Sequence, residues 1–364
     1  MRVIVAGDFS PYDRVSALIA SSEYQSVFGA VRPIIGASDY AVANFETVVE
    51  SASGGRIRKL GPHLHCPPQS VDALKQAGFD CVSLANNHFY DFGDGGVEAS
   101  LRRFDEVGLD HVGGGMNIAQ ASSTLYKRIG DSTLAVINCC EHEFSIATES
   151  SAGCNPLDPP VQCDAIAGAR EKSDHVIVIV HGGSEYYRYP TPRMVRLYRS
   201  FIDAGADAVV NHHQHCFSGY EFYKGRPVVY GLGNFCFDWP GERDGDWNRG
   251  YMAALDFNAG LVSLELLPYV QCSRAAVVEP LDDRSAFLSE IKSINEVIAD
   301  PSALQEHFES LARERAHIYR KIFRPAIFCH NKALKTWNFR TCESHADLLE
   351  VVERLYSHRR CDHK

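Results

Sequence analysis

Residues 207–215 read D-A-V-V-N-H-H-Q-H, a short apolar run that breaks off into three histidines within four positions. His213 and His215 stand two apart, so on extended or tightly turned backbone both side chains can bracket one point. Neutral imidazole is the commonest metal-ligating side chain, and His-x-His is a frequent way of offering two. A histidine-rich surface loop is the competing reading, and this stretch alone does not separate the two.

Four other stretches have the same form. Arg2 to Ala6 is apolar and ends in Gly7-Asp8. Tyr40 to Ala43 runs into Asn44-Phe45-Glu46, and Asp80 to Ala85 into Asn86-Asn87-His88. His175 to Val180 ends in His181-Gly182-Gly183-Ser184-Glu185. Short, nearly continuous apolar runs suit strands covered on both faces. Helical patterns lie between or beside them, at Pro68–Ala77, Gly95–Val107, Pro160–Lys172 and Pro192–Ala204. Ser173 and Gly205 follow the last two as breakers. Strand, polar residues, then helix is the βα unit, and in open α/β sheets ligands gather beyond the carboxyl ends of the strands. Singly, Asp8 is compatible with a turn cap, Asn87 with a satisfied loop backbone and Glu46 with a solvated face. Five such strand ends together predict one active site at an edge of the sheet.

The remaining pattern is mixed. Asp110–Val112 reads as a short strand, with Gly113-Gly114-Gly115 as the turn after it, since the G-x-G-x-x-G dinucleotide spacing is absent. Hairpins are expected at 124–138, 219–232 and 251–269, and a long Ser/Gly/Pro-rich loop at 141–160. The sheet region therefore predicts two packed sheets, parallel and antiparallel, with helices outside. From Leu281 onward the pattern is helical, at Arg284–Ala299, Pro301–Phe323 and Ala346–Ser357, with a frayed tail at 359–364. The expected division is a domain at 1–275 and a helical C-terminal extension at 276–364.

A chain of 364 residues has ample core. Its net charge of -10 argues against nucleic acid as the main partner, because a phosphate-binding face needs a basic excess. No apolar run reaches the length of a membrane span, and the first is too short for a signal peptide. The expectation is a cytoplasmic chain with no membrane anchor. Twelve cysteines contain no C-x-x-C pair and read as reduced, small apolar residues.

Asp8, Glu46, Asn87, His181, His213 and His215 form a mixed oxygen and nitrogen set that suits Mn, Fe or Zn. Six ligands are too many for one tetrahedral ion, and two divalent ions sharing Glu46 account for the number. Such a site clamps a phosphoryl or acyl oxygen and lowers the pKa of bound water. His88 is placed to protonate a leaving group or to stabilise developing charge. Glu185 is a candidate ligand, base or orienting partner of His181, and Arg14 a receiver for an anionic group.

The ordered set G-D-F-S-P-Y-D-R (7–14), N-F-E-T (44–47), S-L-A-N-N-H-F-Y-D-F-G (83–93), V-G-G-G-M-N (112–117), H-G-G-S-E-Y (181–186), H-H-Q-H (212–215) and Y-G-L-G-N-F-C-F-D (230–238) resembles the bacterial CapA family. These are poly-γ-glutamate and capsule synthesis proteins, related in fold to calcineurin-like metallophosphoesterases. The likeness covers roughly residues 1–270. It implies an α/β fold, a four-layer α/β/β/α sandwich of metallophosphoesterase type, followed here by the helical C-terminal appendix. It also implies Asp8, Glu46 and His215 on one ion, and Glu46, Asn87, His181 and His213 on the other. Tyr186, His212 and Asn234 lie within the matched motifs and are expected to join Arg14 in binding substrate. The chain departs from the pattern at Ser10, where the phosphoesterases carry a histidine, and at Gly182, Asn211 and Gln214.

The function these features imply is a metal-dependent enzyme of capsule or cell-surface polymer biosynthesis. Its expected chemistry is hydrolysis of a phosphate ester or of a glutamyl or amino-sugar amide. An amide-forming enzyme is the first alternative, although no nucleotide-binding P-loop pattern is present. A non-catalytic accessory subunit binding an anionic polymer or a biosynthetic partner enzyme is the second.

Overall fold

The computed structural model describes residues 1–258, 260–319 and 341–357. In chain order the elements are β1 (Arg2–Phe9), α1 (Asp13–Ala20), α2 (Tyr24–Phe28), α3 (Arg32–Ile35), β2 (Tyr40–Phe45), α4 (Gln69–Ala77), β3 (Cys81–Ser83), α5 (Gly93–Val107), β4 (Asp110–Val112), β5 (Gly114–Gly115), α6 (Ile118–Ala121), β6 (Leu125–Ile129), β7 (Ser132–Cys140) and β8 (Gly153–Cys154). They continue with α7 (Pro159–Arg170), β9 (His175–His181), α8 (Pro192–Asp203), β10 (Ala208–His212), β11 (Tyr220–Tyr223), β12 (Arg226–Val229), β13 (Asn234–Cys236), β14 (Arg249–Asn258), β15 (Leu261–Gln271), β16 (Val278–Pro280), α9 (Arg284–Ala299), α10 (Pro301–Tyr319) and α11 (Glu343–Ser357).

Two sheets result. The first runs β16-β15-β14-β1-β2-β3-β4, with β13 also paired to β1; the second runs β11-β12-β10-β9-β7-β6. Within them β1 to β4 are parallel, as are β7, β9, β10 and β12, while the hairpin strands add antiparallel edges.

Alternation along a strand sets the layers. In β1, Val3 and Val5 join a core shared with β9 and β10 of the second sheet. Ile4 and Ala6, on the other face, pack with Val15 and Ile19 of α1, Leu74 of α4 and Phe104 of α5. The second sheet shares its core with Ile166 of α7, Tyr198 and Phe201 of α8, and Phe287 and Ile291 of α9. This is the four-layer α/β/β/α sandwich with helices α10 and α11 beyond it. Each fully buried Val, Leu or Ile contributes roughly 1.5–3 kcal/mol, largely offset by chain entropy.

Several details differ from the sequence reading. Helices α1 to α3 were not expected; in α1 only Val15 and Ile19 are buried, too few for a helical period to stand out. The triglycine is more than a turn, since Gly114-Gly115 pairs with Gly153-Cys154 from within the 141–160 loop. A Cβ on Gly114 would lie 2.6 Å from the Phe89 ring, so the packing itself requires glycine. The first sheet extends through β16 to Pro280, and α9 belongs to the sandwich core. The expected helical end at Phe323 and the tail 359–364 lie outside the described residues. Among the described residues no helix is long and apolar enough to cross a membrane.

Candidate metal centre

Parallel register lines up the ends of the strands. Asp8 is opposite Asn44 across β1 and β2, and His181 is opposite His212 across β9 and β10. Beyond His212 the backbone turns sharply, with left-handed φ angles of 96° at His213 and 56° at His215. Such angles are costly for residues other than glycine and persist where the surroundings over-determine them, typically at functional sites. Here Asn211 supplies the restraint: its Nδ2 lies within hydrogen-bonding distance of the Gly182, His212 and Tyr230 carbonyls and of Gln214 Oε1, and its Oδ1 accepts from Tyr198. Asn211 and Gln214 thus brace the histidine turn.

The structure brings Asp8, Glu46, Asn87, His181, His213 and His215 together. Donor atoms of Glu46, His181 and His213 lie within 4.8 Å of one another, as do those of Asp8, Glu46 and His215. His181 Nε2 is 3.1 Å from Asn87 Oδ1, 3.1 Å from His213 Nδ1 and 3.6 Å from Glu46 Oε1. His215 Nε2 is 3.7 Å from Glu46 Oε1, and its Nδ1 is 3.6 Å from Asp8 Oδ2. Ligands bound at about 2.1 Å and spread by ordinary coordination angles sit roughly 3–3.5 Å apart, close to these spacings.

Glu46 is the test of fit. It is 0% exposed, and among the described residues neither of its carboxylate oxygens has a hydrogen-bond partner. Burial pushes its pKa well above the ordinary range, and the carboxylates of Asp8 and Glu185 push the same way. A buried, orphaned carboxylate between two sets of imidazoles suits a cation on each side of it. His181 is driven well below its ordinary value by burial and then by the neighbouring imidazoles, so it is neutral with a lone pair to offer. The donor set fits one or two borderline divalent ions, with Glu46 common to both groups.

Polar partners orient these side chains. Asn44 Nδ2 donates to Asp8 Oδ1 at 2.8 Å and lies 3.2 Å from His181 Nδ1. Asn234 Oδ1 is 2.9 Å from His215 Nδ1, which leaves Nε2 facing Glu46. His88 Nδ1 is 2.7 Å from Asp91 Oδ2 and 3.0 Å from the ammonium of Lys59, which pairs with Asp91. Burial and then Lys59 lower the His88 pKa; burial likewise lowers Lys59, only 2% of whose side chain is exposed. Burial works to raise Asp91, but His88 and Lys59 outweigh it and hold it below its ordinary value.

Other expected residues have different partners. Arg14 donates to both oxygens of Asp238, at 3.0 and 2.8 Å, and to the Cys272 carbonyl, not to the ligand cluster. His212 is buried with Nε2 3.0 Å from the Ala6 carbonyl. Asn234 is engaged with His215. Glu185 reaches solvent but has protein on most sides; burial works to raise its pKa, and the imidazoles of His213, His215, His88 and His345 outweigh it, leaving it lowered. Tyr186 is exposed beside His215, with ring centroids 6.4 Å apart.

The sequence reading missed Asn44, Lys59, Asp91 and the C-terminal contribution. Asp91, three positions after His88, was open to detection by spacing; Lys59 sits in an irregular stretch with no periodic signal. At the end of β7, Glu141 accepts from Arg193 at 2.6 Å and from the backbone N–H and hydroxyl of Ser344 at 3.1 and 2.8 Å. Burial would raise Glu141, but Arg193 and Ser344 hold it below its ordinary value. Glu343 in turn accepts from the His142 backbone at 2.8 Å and lies 2.6 Å from its ring. Glu141 also fills the space beside Gly182, where a Cβ would meet its Cγ at 2.7 Å. His345, next along α11, lies 2.8 Å from the Tyr319 hydroxyl. The start of α11 is thus interlocked with the strand ends that carry the centre.

The family model described as bacterial capsule synthesis protein PGA_cap matches residues 2–239. The chain is 31% identical over 254 residues to "Capsule biosynthesis protein CapA" of Bacillus anthracis, covering 67% of this chain and 62% of that one. It is 35% identical over 224 residues to "PGA biosynthesis protein CapA" of Bacillus subtilis (strain 168), covering 60% and 59%. The match thus spans about three fifths of the length of each of these relatives. A Mycobacterium tuberculosis relative, 28% identical over 251 residues (64% of this chain, 66% of that one), is named "Probable polyglutamine synthesis accessory protein". Among solved structures, a hypothetical protein from Thermus thermophilus aligns at a TM-score of 0.44 and 18% identity, over 74% of this chain and 98% of that one. The chain belongs to the bacterial capsule synthesis protein family, PGA_cap.

Proposed function

We propose that this capsule-synthesis family member is a metal-dependent hydrolase that acts on an anionic substrate, a phosphate ester or a glutamyl or amino-sugar amide. The observation that carries the reading is Glu46, a fully buried carboxylate at the junction of two ligand groups, with no hydrogen-bond partner for either oxygen among the described residues. Asp8, Glu46 and His215 would hold one ion, and Glu46, Asn87, His181 and His213 the other. Bound there, a divalent ion polarises a phosphoryl or acyl oxygen and acidifies water. The chain's own residues do the rest. Asn44 and Asn234 fix the orientation of Asp8 and His215, as partners behind a ligand commonly do. His88, its Nδ1 engaged by Asp91 and Lys59, keeps Nε2 for the leaving group. Glu185, ionised and open to solvent, is the candidate to orient an incoming nucleophile or substrate.

A second reading, a non-catalytic accessory subunit, draws on the name of the Mycobacterium relative and on Ser10, which stands where a further ligand is expected. Metal content and turnover separate the two. For the hydrolase, the purified chain retains stoichiometric Mn, Fe or Zn and turns over a generic phosphodiester or a γ-glutamyl amide, and His213→Ala abolishes both. A chain that binds no divalent metal and turns over neither substrate refutes it.

A further inference from the structure

Beside the candidate centre, on the side of His215, aromatic rings run toward solvent. The Trp247 ring lies 4.8 Å from the His215 ring and 4.9 Å from Phe237. Phe237 meets Trp239 at 5.8 Å, and Trp239 meets Tyr12 at 4.9 Å. Trp247 is buried and fixed by an indole N–H bond of 2.8 Å to the Phe237 carbonyl. Over it lies Tyr186, stacked at 5.9 Å with 26° between the planes and 57% exposed. A lone exposed tyrosine needs no explanation. Tyr186 differs because its backbone is held at a φ of 59°, a strained conformation for a bulky residue.

Three contacts hold it there. The Tyr186 N–H donates to the Gln214 carbonyl at 2.8 Å, within the histidine turn. Arg315 of α10 donates to the Glu185 carbonyl at 2.6 Å. Tyr187 is buried among Phe308, Leu311 and Leu348 of α10 and α11. Tertiary packing from both ends of the loop thus sustains a conformation whose visible result is an aromatic ring facing solvent next to a candidate metal ligand.

We propose that Tyr186, backed by Trp247, is a stacking subsite for a ring in the substrate, one linked to the anionic group that the centre receives. The proposal rests on the metal-dependent reading above and narrows its substrate class. The preferred substrate carries a ring with a face that can stack, a nucleobase or a sugar, close to its phosphate; an unbranched acyclic chain gains nothing from this platform. Offset stacking on an aromatic face has the magnitude to select such a substrate.

The test uses the full chain loaded with Mn²⁺ and three phosphonates of equal carbon number, phenyl-, cyclohexyl- and n-hexylphosphonate. Their C–P bonds keep calorimetric binding separate from turnover. Phenylphosphonate is expected to bind roughly five- to tenfold more tightly than hexylphosphonate. Tyr186→Leu is expected to remove that preference, whereas Tyr186→Phe retains it. Cyclohexylphosphonate matching the phenyl compound supports a sugar-like ring, and falling to the hexyl level supports a flat unsaturated one. Equal affinity for phenyl- and hexylphosphonate in the wild type, or a preference that survives Tyr186→Leu, overturns the proposal. Failure of the loaded wild type to bind any phosphonate overturns the metal-site reading as well, a result distinct from unselective binding.

Discussion

Replacing Glu46 by Gln should change stability in opposite directions with and without a divalent cation. In the metal-free chain the carboxylate is fully buried, its oxygens find no donor among the described residues, and Asp8 and Glu185 repel its charge. Its folded-state pKa therefore lies above the unfolded value of about 4.3. Between those two values the native state holds a proton that the unfolded state has released, so stability falls as pH rises across that window. Each pH unit of separation corresponds to about 1.4 kcal/mol. Gln keeps the volume and removes the ionisation, so Glu46→Gln in EDTA should be about 1–3 kcal/mol more stable than wild type at neutral pH, with a flatter pH profile. With Mn²⁺ at about 100 times its dissociation constant, each occupied site adds about 2.7 kcal/mol to the wild type. The variant, without its shared ligand, should gain much less. Urea denaturation at pH 5, 6, 7 and 8, in EDTA and in Mn²⁺, reads both effects. A variant less stable than wild type in EDTA throughout, or equal stabilisation of both proteins by Mn²⁺, would refute the reasoning.

Asn234→Ala removes the acceptor opposite His215 Nδ1 and should weaken metal binding by about 10- to 100-fold, seen by calorimetry, with the fold retained. Glu141→Ala leaves the largely buried Arg193 without one of its two carboxylate partners and α11 without one of its ties to the strand end; the expected loss is about 3–5 kcal/mol, read from the denaturation midpoint. Burial pushes the Cys66 and Cys216 thiols up to about 12, so in the native chain at pH 8 both should resist a disulfide reagent, while half-buried Cys163 reacts first among the described cysteines. Peptide mapping of the labelled protein checks the order.

The strand ends were legible because parallel strands covered on both faces read as continuous apolar runs, and the ligand types begin where each run stops. What no single stretch encodes is direction. The spacing of His213 and His215 marked them as a ligand pair, but His212, expected to bind substrate, closes β10 facing the Ala6 carbonyl, while the left-handed turn after it sends the other two into the cluster. Lys59 and Glu141 were missed for a related reason. Each looks like an ordinary surface charge until contacts with Asp91, about thirty positions away, or with Ser344, about two hundred away, make it buried. The helices α1 to α3 were missed because short helices with few buried positions leave little period to read.

The interlock of Glu141 and His142 with Cys342, Glu343 and Ser344 also orders events during synthesis. All six candidate ligands emerge from the ribosome more than a hundred residues before the segment that braces the strand ends around them. A nascent chain therefore holds an unsupported centre until α11 is released, and premature termination in that helix would leave every ligand present but the wall around them unfinished.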